Sequence, residues 1–240
     1  ACENQKTSGA RLADLRLTKI DESLRALHYH LTEDDSCYFL YDYTSRQGFS
    51  YSATNQLISN IKKSPLTKGT PQWRYKMRDI RRCSADLARA LPEGVVEQLT
   101  FVPIPPSKAR EHAEYDDRMR QVCDGIAAGA DVRELVYQMA STRASHENDE
   151  RVTVEELLEV YAIDEALCDP APSAIAIIDD VITAGTHFRA MADTLRAKFP
   201  EAQIIGLFIA RRVYPDDEDG PVCCQDAPVS IFQLKPLTGR

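Results

Sequence analysis

Two uninterrupted apolar runs constrain this chain more than any other feature. Residues 174–178 read AIAII, and residues 203–210 read QIIGLFIA. Strands that are apolar on both faces need cover on both faces. Between the two runs Phe188, Met191, Leu195 and Phe199 recur at helical spacing, and Pro200 stops the helix. Strand, helix and strand in that order form the crossover unit of a parallel sheet. The fold class that follows is α/β, a parallel-sheet core with flanking helices.

The rest of the chain extends this pattern. Residues 12–31 place Leu12, Leu15, Ile20, Leu24, Leu27 and Leu31 near helical spacing, which predicts a helical N-terminal addition. Residues 36–43 (SCYFLYDY) read as a strand, and Ser52 caps a helix carrying Leu57, Ile58 and Ile61. After a loop at 64–71, Trp73, Met77, Ile80, Ser84, Leu87 and Leu91 form one helical stripe. Residues 99–104 (LTFVPI) read as a short buried strand, a helix resumes near Tyr115, and 132–139 read as a further strand. Residues 140–151 are almost devoid of apolar side chains and read as a surface loop, after which Thr153 caps another helix. A late strand is expected at 229–234. The expected organisation is an addition at 1–53, a main domain at 54–212 and an extension at 213–240.

Composition narrows the class further. The 240 residues are 43% hydrophobic and 28% charged, the balance of a globular chain and not of a disordered tail, a collagen or a coiled coil. No stretch approaches eighteen apolar residues, so no membrane span is expected. The opening residues Ala1-Cys2-Glu3-Asn4 lack a basic and then apolar signal segment, which points to the cytoplasm. Seven scattered cysteines, without a Cys-x-x-Cys pair, read as free thiols and not as a zinc site.

The net charge of −8 is unevenly spread. Residues 62–89 hold nine Lys and Arg against Asp79 and Asp86, a local +7 that leaves −15 for the remainder. Arg74, Arg78, Arg81, Arg82 and Arg89 fall largely opposite the apolar stripe. The plain reading is a solvated helix face; the sharper one is a surface for a nucleic acid or protein partner.

The chemistry is concentrated after the first apolar run, in Asp179-Asp180-Val181-Ile182-Thr183-Ala184-Gly185-Thr186-His187. A buried strand ends in two carboxylates, a small-residue turn follows, and a helix begins. Free N–H groups at a helix N-terminus bind phosphate, and a glycine lets the anion approach. Adjacent carboxylates suit ribose hydroxyls with magnesium close by. Together they suit a sugar phosphate at the carboxyl end of a parallel sheet. A receiver domain would need far more chain after the acids, and a phosphatase of the Asp-x-Asp type would need an acid at Val181. A purely structural acid pair at a strand end is the bland alternative.

This segment resembles the signature of the type I phosphoribosyltransferases. The resemblance implies that Asp179 and Asp180 hold the ribose hydroxyls of phosphoribosyl pyrophosphate, with magnesium held indirectly by the same acids. It implies too that Thr183, Ala184, Gly185, Thr186 and His187 cradle the 5′-phosphate. Ala184 and His187 depart from the family pattern, His187 standing where a Thr or Ser is usual. Residues 101–110 (FVPIPPSKAR) look like the strand and pyrophosphate loop of the ComF-like branch. Ser107, Lys108 and Arg110 then become the leaving-group residues, with Lys108 and Arg110 catalytic beside the acids. Where that branch has Arg-Gly-Phe-Asn, this chain has Glu114-Tyr115-Asp116-Asp117-Arg118. The polar stretch 140–151 lies where the family carries a closing loop, which makes Arg143, His146 and Arg151 candidates for clamping pyrophosphate.

The activity implied is transfer of phosphoribose to a nitrogen acceptor with release of pyrophosphate. The competing reading is an effector of the same fold, of competence or phage-defence type, without ordinary salvage activity. Expected partners are phosphoribosyl pyrophosphate or a related nucleotide, a nucleic acid or protein through 62–89, and a second copy of the chain in a homodimer.

Overall fold

The computed structural model describes residues 15–141 and 152–215. Its centre is a six-stranded sheet formed by β1 (Thr18–Lys19), β2 (Ser36–Thr44), β8 (Gln203–Val213), β7 (Ala174–Ile182), β3 (Thr100–Pro103) and β4 (Asp131–Val132), in that spatial order. Every neighbouring pair is parallel except the edge pair β1–β2. The two apolar runs are the adjacent strands β7 and β8, joined through α6 (Thr186–Lys198). The α/β class and the mostly parallel core are as the sequence pattern implies.

Helices cover both faces, because both faces are apolar. On one side α2 (Ala53–Ile61), α3 (Pro71–Ala90) and α4 (Arg118–Asp124) bury Leu57, Ile61, Ile80, Leu87 and Val122 against Ala176 and Ile178. On the other, α6, α5 (Val154–Val160) and the hairpin of β5 (Val136–Gln138) with β6 (Tyr161–Ile163) pack against Ile175 and Ile177. Gly206 sits opposite Ile177, where an added Cβ would come within 2.9 Å of both Cys37 and Phe188. That position must stay bare for α6 to lie close to the sheet.

Local chemistry sets several boundaries. Ser52 accepts a hydrogen bond from Asn55 N–H at the start of α2, and Thr153 with Glu156 forms a complete capping box on α5. The helix expected over 12–31 is corrected: among the described residues of that span only α1 (Glu22–Arg25) forms. Asp21 caps it through the N–H groups of Ser23 and Leu24, and the residues before it run extended as β1 against β2. Strand pairing has overridden the helical spacing of the leucines. The single strand expected at 132–139 is also two, β4 in the main sheet and β5 in the hairpin.

The sheet takes in residues on both sides of position 53, since β2 pairs with β8 over much of its length. Cys37, Cys83 and Cys123 are buried free thiols and Cys168 a half-buried one. No helix among the described residues is long and apolar enough to cross a membrane. The late strand expected at 229–234 lies outside the described residues.

Candidate functional site

Strand β7 does not stop at Ile178. It runs through the acid pair to Ile182, with Asp179 opposite Phe208 and Val181 opposite Ala210. Successive side chains of a strand leave on opposite faces, so Asp179 and Asp180 diverge. Both border a cavity of about 400 Å³ at the carboxyl ends of β3 and β7. That volume lies in the range of small-molecule sites.

Asp180 is only 3% exposed and is held from two sides. Its Oδ2 accepts from Arg118 Nε at 3.0 Å and Nη2 at 2.7 Å, and Lys62 Nζ lies 3.0 Å from Oδ1. Arg118 Nη1 also donates to Asp116 Oδ2, 3.0 Å away. Asp116 Oδ2 in turn accepts from Lys76 Nζ at 2.8 Å. Lys76 is fully buried, and its remaining protons go to the carbonyls of Ile61 (2.6 Å) and Lys63 (2.8 Å). The three donors of an ammonium are thus all used. Since Ile61 and Lys63 flank Lys62, the charges form a closed ring from the end of α2 through Asp180, Arg118, Asp116 and Lys76 back to α2.

This ring splits the acid pair. Burial alone would raise the Asp180 carboxyl, but the charges of Lys62 and Arg118 outweigh it and hold the group well below the usual carboxylate range. Asp179 has no such support. Burial and the charge of Asp180 raise its carboxyl well above the ordinary value, against the pull of Lys62 and the hydrogen bond it accepts from Asp180 N–H at 2.7 Å. Asp179 is the carboxylate of the pair left facing the cavity.

The turn beyond the strand is fixed from behind by residues 28–31. The carbonyl of Thr183 accepts from His28 Nδ1, and that of Ala184 from His30 N–H at 3.0 Å. In a trans peptide the carbonyl and the following N–H point opposite ways. With both carbonyls turned toward residues 28–31, the N–H groups of Ala184 and Gly185 are turned away from that segment. Helix α6 begins next, with its first backbone bond from Arg189 N–H to Gly185 carbonyl, so Thr186, His187 and Phe188 N–H have no partner within the helix. Gly185 is left-handed (φ +91°) and supplies no side chain to cap them. Arg189 completes the clasp by donating to the His30 carbonyl at 3.0 Å and pairing with Asp35.

Gly185→Ala is expected to destabilise the chain by about 1–3 kcal/mol, because a Cβ at this φ is strained and would also meet Leu31 Cδ2 at 3.3 Å. Urea denaturation checks it: a lower midpoint with an unchanged slope supports the strained turn, and an unchanged midpoint removes it.

The other predicted residues divide. Ser107 and Lys108, on the loop after β3, line the cavity with Asp179, Asp180, Thr183 and His187. Ala184, Gly185 and Thr186 build the turn behind it. Arg110 is not among the residues lining that cavity: it pairs with Glu134 at 3.5 Å and lies over the Tyr137 ring. Arg143, His146 and Arg151 lie outside the described residues. His187 is half-buried, and its Nδ1 shares a hydrogen bond with the Tyr161 hydroxyl at 3.1 Å. Burial pushes its pKa down to about 4, so the ring is neutral near pH 7.

Sequence reasoning missed the roles of Lys62, Lys76, His28 and Tyr161. Lys76 carried a signal, since it stands four residues before Ile80 on the apolar side of its helix. His28 carried none.

Across the cavity, three cations (Lys62, Lys108, Arg118) face four carboxylates (Glu114, Asp116, Asp179, Asp180). A lining of both signs, which reaches the turn and the start of α6 at Thr183 and His187 while Ala184, Gly185 and Thr186 are not among its residues, suits a ligand that carries phosphate and hydroxyl groups together. Among the described residues no cluster of three His, Cys, Asp or Glu is arranged to hold a metal by itself. No family model matches the chain, and no curated protein matches it.

Proposed function

We infer that the cavity binds phosphoribosyl pyrophosphate and that the chain acts as a phosphoribosyltransferase-like protein of the type I kind. The observation that carries this is the clasped turn. Its carbonyls are tied back to residues 28–31 while its N–H groups and the start of α6 are left for an anion. The 5′-phosphate would sit there, and the ribose hydroxyls would face Asp179. Pyrophosphate would extend toward Ser107 and Lys108, whose ammonium balances the charge that builds on the leaving group.

Magnesium suits Asp179, because this ion is commonly held by one or two carboxylates together with substrate phosphates. When bound, it would neutralise phosphate charge. The chain itself orients the sugar, separates the acid pair electrically and lines the leaving-group side. In the transfer, the bond from the anomeric carbon to the pyrophosphate oxygen breaks with its electron pair leaving on pyrophosphate. The lone pair of the acceptor nitrogen forms the new bond, and that nitrogen then gives up its proton to solvent water. Positioning and leaving-group stabilisation supply most of the acceleration.

One observation favours the second reading, an effector that binds the ligand without turnover. Both oxygens of Asp180 are already taken by Arg118 and Lys62, which leaves one carboxylate of the pair for the ribose. Calorimetry and product analysis separate the two readings. Phosphoribosyl pyrophosphate with magnesium is expected to bind at least tenfold more tightly than ribose 5-phosphate, and ribose not at all. Pyrophosphate release in a screen of nitrogen bases supports the transferase; tight binding without release supports the effector. No binding of phosphoribosyl pyrophosphate would sink both.

A further inference from the structure

The basic run has an outer side that the cavity does not use. Of its nine cations, Lys76 is buried in the charge ring and Lys62 reaches Asp180. Lys68, Arg74, Arg78, Arg81, Arg82 and Arg89 are exposed. Both acids of the run point inward: Asp79 is 2% exposed and Asp86 is 8% exposed. Asp79 Oδ2 accepts from Asn60 Nδ2 at 2.6 Å, and Asp86 Oδ2 from the Tyr41 hydroxyl at 2.8 Å. The exposed charged side chains of residues 62–91 are therefore all positive. Although Arg78 pairs with Asp79 and Arg82 and Arg89 with Asp86, the run keeps a net positive charge, most of it along α3, about 30 Å long.

Aromatic rings stand among these cations. Tyr75 is 51% exposed with the Arg78 guanidinium 5.3 Å from its ring centre, and Phe49 is 46% exposed with Lys63 Nζ at 5.4 Å. One chain of contacts joins the two rings. Lys63 bonds to Asn60, Asn60 to Asp79, and Asp79 to Arg78 at 2.7 Å. This surface also adjoins the cavity, since Lys62, Ser64 and Pro65 line it.

We propose that the α2–α3 surface, with Phe49, Tyr75 and the exposed arginines of α3, binds single-stranded nucleic acid beside the cavity. Fixed cations meet the phosphates, and the exposed rings offer faces on which unpaired bases stack. A duplex would satisfy the cations but hide its bases from the rings. The inference stands apart from the phosphoribosyl reading, because it uses the outer side of the helix.

The test is fluorescence anisotropy of the full chain with a labelled 12-nucleotide oligothymidine, its duplex with oligoadenine, and poly-glutamate as competitor. Oligothymidine is expected to bind at 50 mM salt and to weaken about tenfold or more at 200 mM. Arg74→Glu with Arg81→Glu, two exposed positions, is expected to weaken it at least tenfold. Phe49→Ala with Tyr75→Ala is expected to weaken it at least fivefold at unchanged salt dependence. Thermal melts of each variant show whether the fold is kept, and Arg74→Gln with Arg81→Gln provides a milder charge change. No retention at 50 mM salt overturns the proposal, as does duplex binding equal to single strand. Equal competition by poly-glutamate overturns it too, in favour of an acidic protein partner. Phosphoribosyl pyrophosphate titrations on the same variants should be unaffected, which keeps this outcome separate from that of the cavity.

Discussion

Arg118→Ala is expected to lower the unfolding free energy at pH 7 by about 3–5 kcal/mol, the usual result of removing one partner from a buried ion pair. The side chain makes two hydrogen bonds to Asp180 and one to Asp116, and Asp180 has almost no contact with water. Without Arg118 only Lys62 still faces Asp180, and Lys76 is left with an Asp116 that has lost its other cation. For a chain of this size each kcal/mol shifts the midpoint by roughly 2–4 °C, so a drop of several degrees or more is expected in a thermal melt.

The pH dependence distinguishes lost electrostatics from lost packing. The native carboxyl of Asp180 lies below its unfolded value, so the stability it contributes is complete above the unfolded value. That contribution is lost as pH falls toward the native one. The gap between wild type and Arg118→Ala should be full at pH 7 and narrow below about pH 4, where unfolded aspartates protonate. A gap of equal size at pH 3 and pH 7 would show that Arg118 acts through its aliphatic stem. Asp180→Asn combined with Arg118→Ala completes the cycle: an effect much smaller than the sum of the singles is expected for groups in direct contact.

The sheet was legible in the sequence because its central strands have no polar face. Residues 174–178 and 203–210 allow few placements other than the middle of a parallel sheet, and α6 between them carries one clear apolar stripe. The N-terminal segment was not legible. Leu15, Ile20 and Leu24 sit at helical intervals, yet Thr18 and Lys19 between them pair as a strand with Phe39 and Tyr38 of β2, which lies later in the chain. Periodicity reports which residues are apolar, not which partner arrives to cover them.

The site was legible in the same uneven way. The turn at 183–187 and the loop at 107–108 depend on local backbone and small residues, so their composition shows. Lys62, Lys76 and His28 act across the fold. His28 meets Thr183 over a separation of 155 residues, and Lys76 meets Asp116 over 40. A basic run read as one solvated face proves to have two sides. Lys62 and Lys76 support the acids of the cavity, while the arginines stay in solvent.

Asp179→Asn is expected to weaken phosphoribosyl pyrophosphate about 10–100-fold, the scale of a lost charge-assisted hydrogen bond, while making the protein more stable. The second effect follows from the divided pair. An acid whose native value is raised binds its proton more tightly folded than unfolded, so stability falls as pH rises from the unfolded value to the native one. Above that window the charged Asp179 imposes its full cost, because it is partly desolvated and adjacent to Asp180. Asparagine keeps the shape, and its side-chain oxygen can still accept from Asp180 N–H. Urea denaturation should therefore show little gain near pH 4 and a gain on the order of 1–2 kcal/mol at pH 8, growing between them. A gain with unchanged ligand affinity would remove Asp179 from the binding site. A loss of stability at every pH would mean that the acid supports the fold. Weaker binding together with a rising gain is the signature of a carboxylate held in a costly place for the sake of what it contacts.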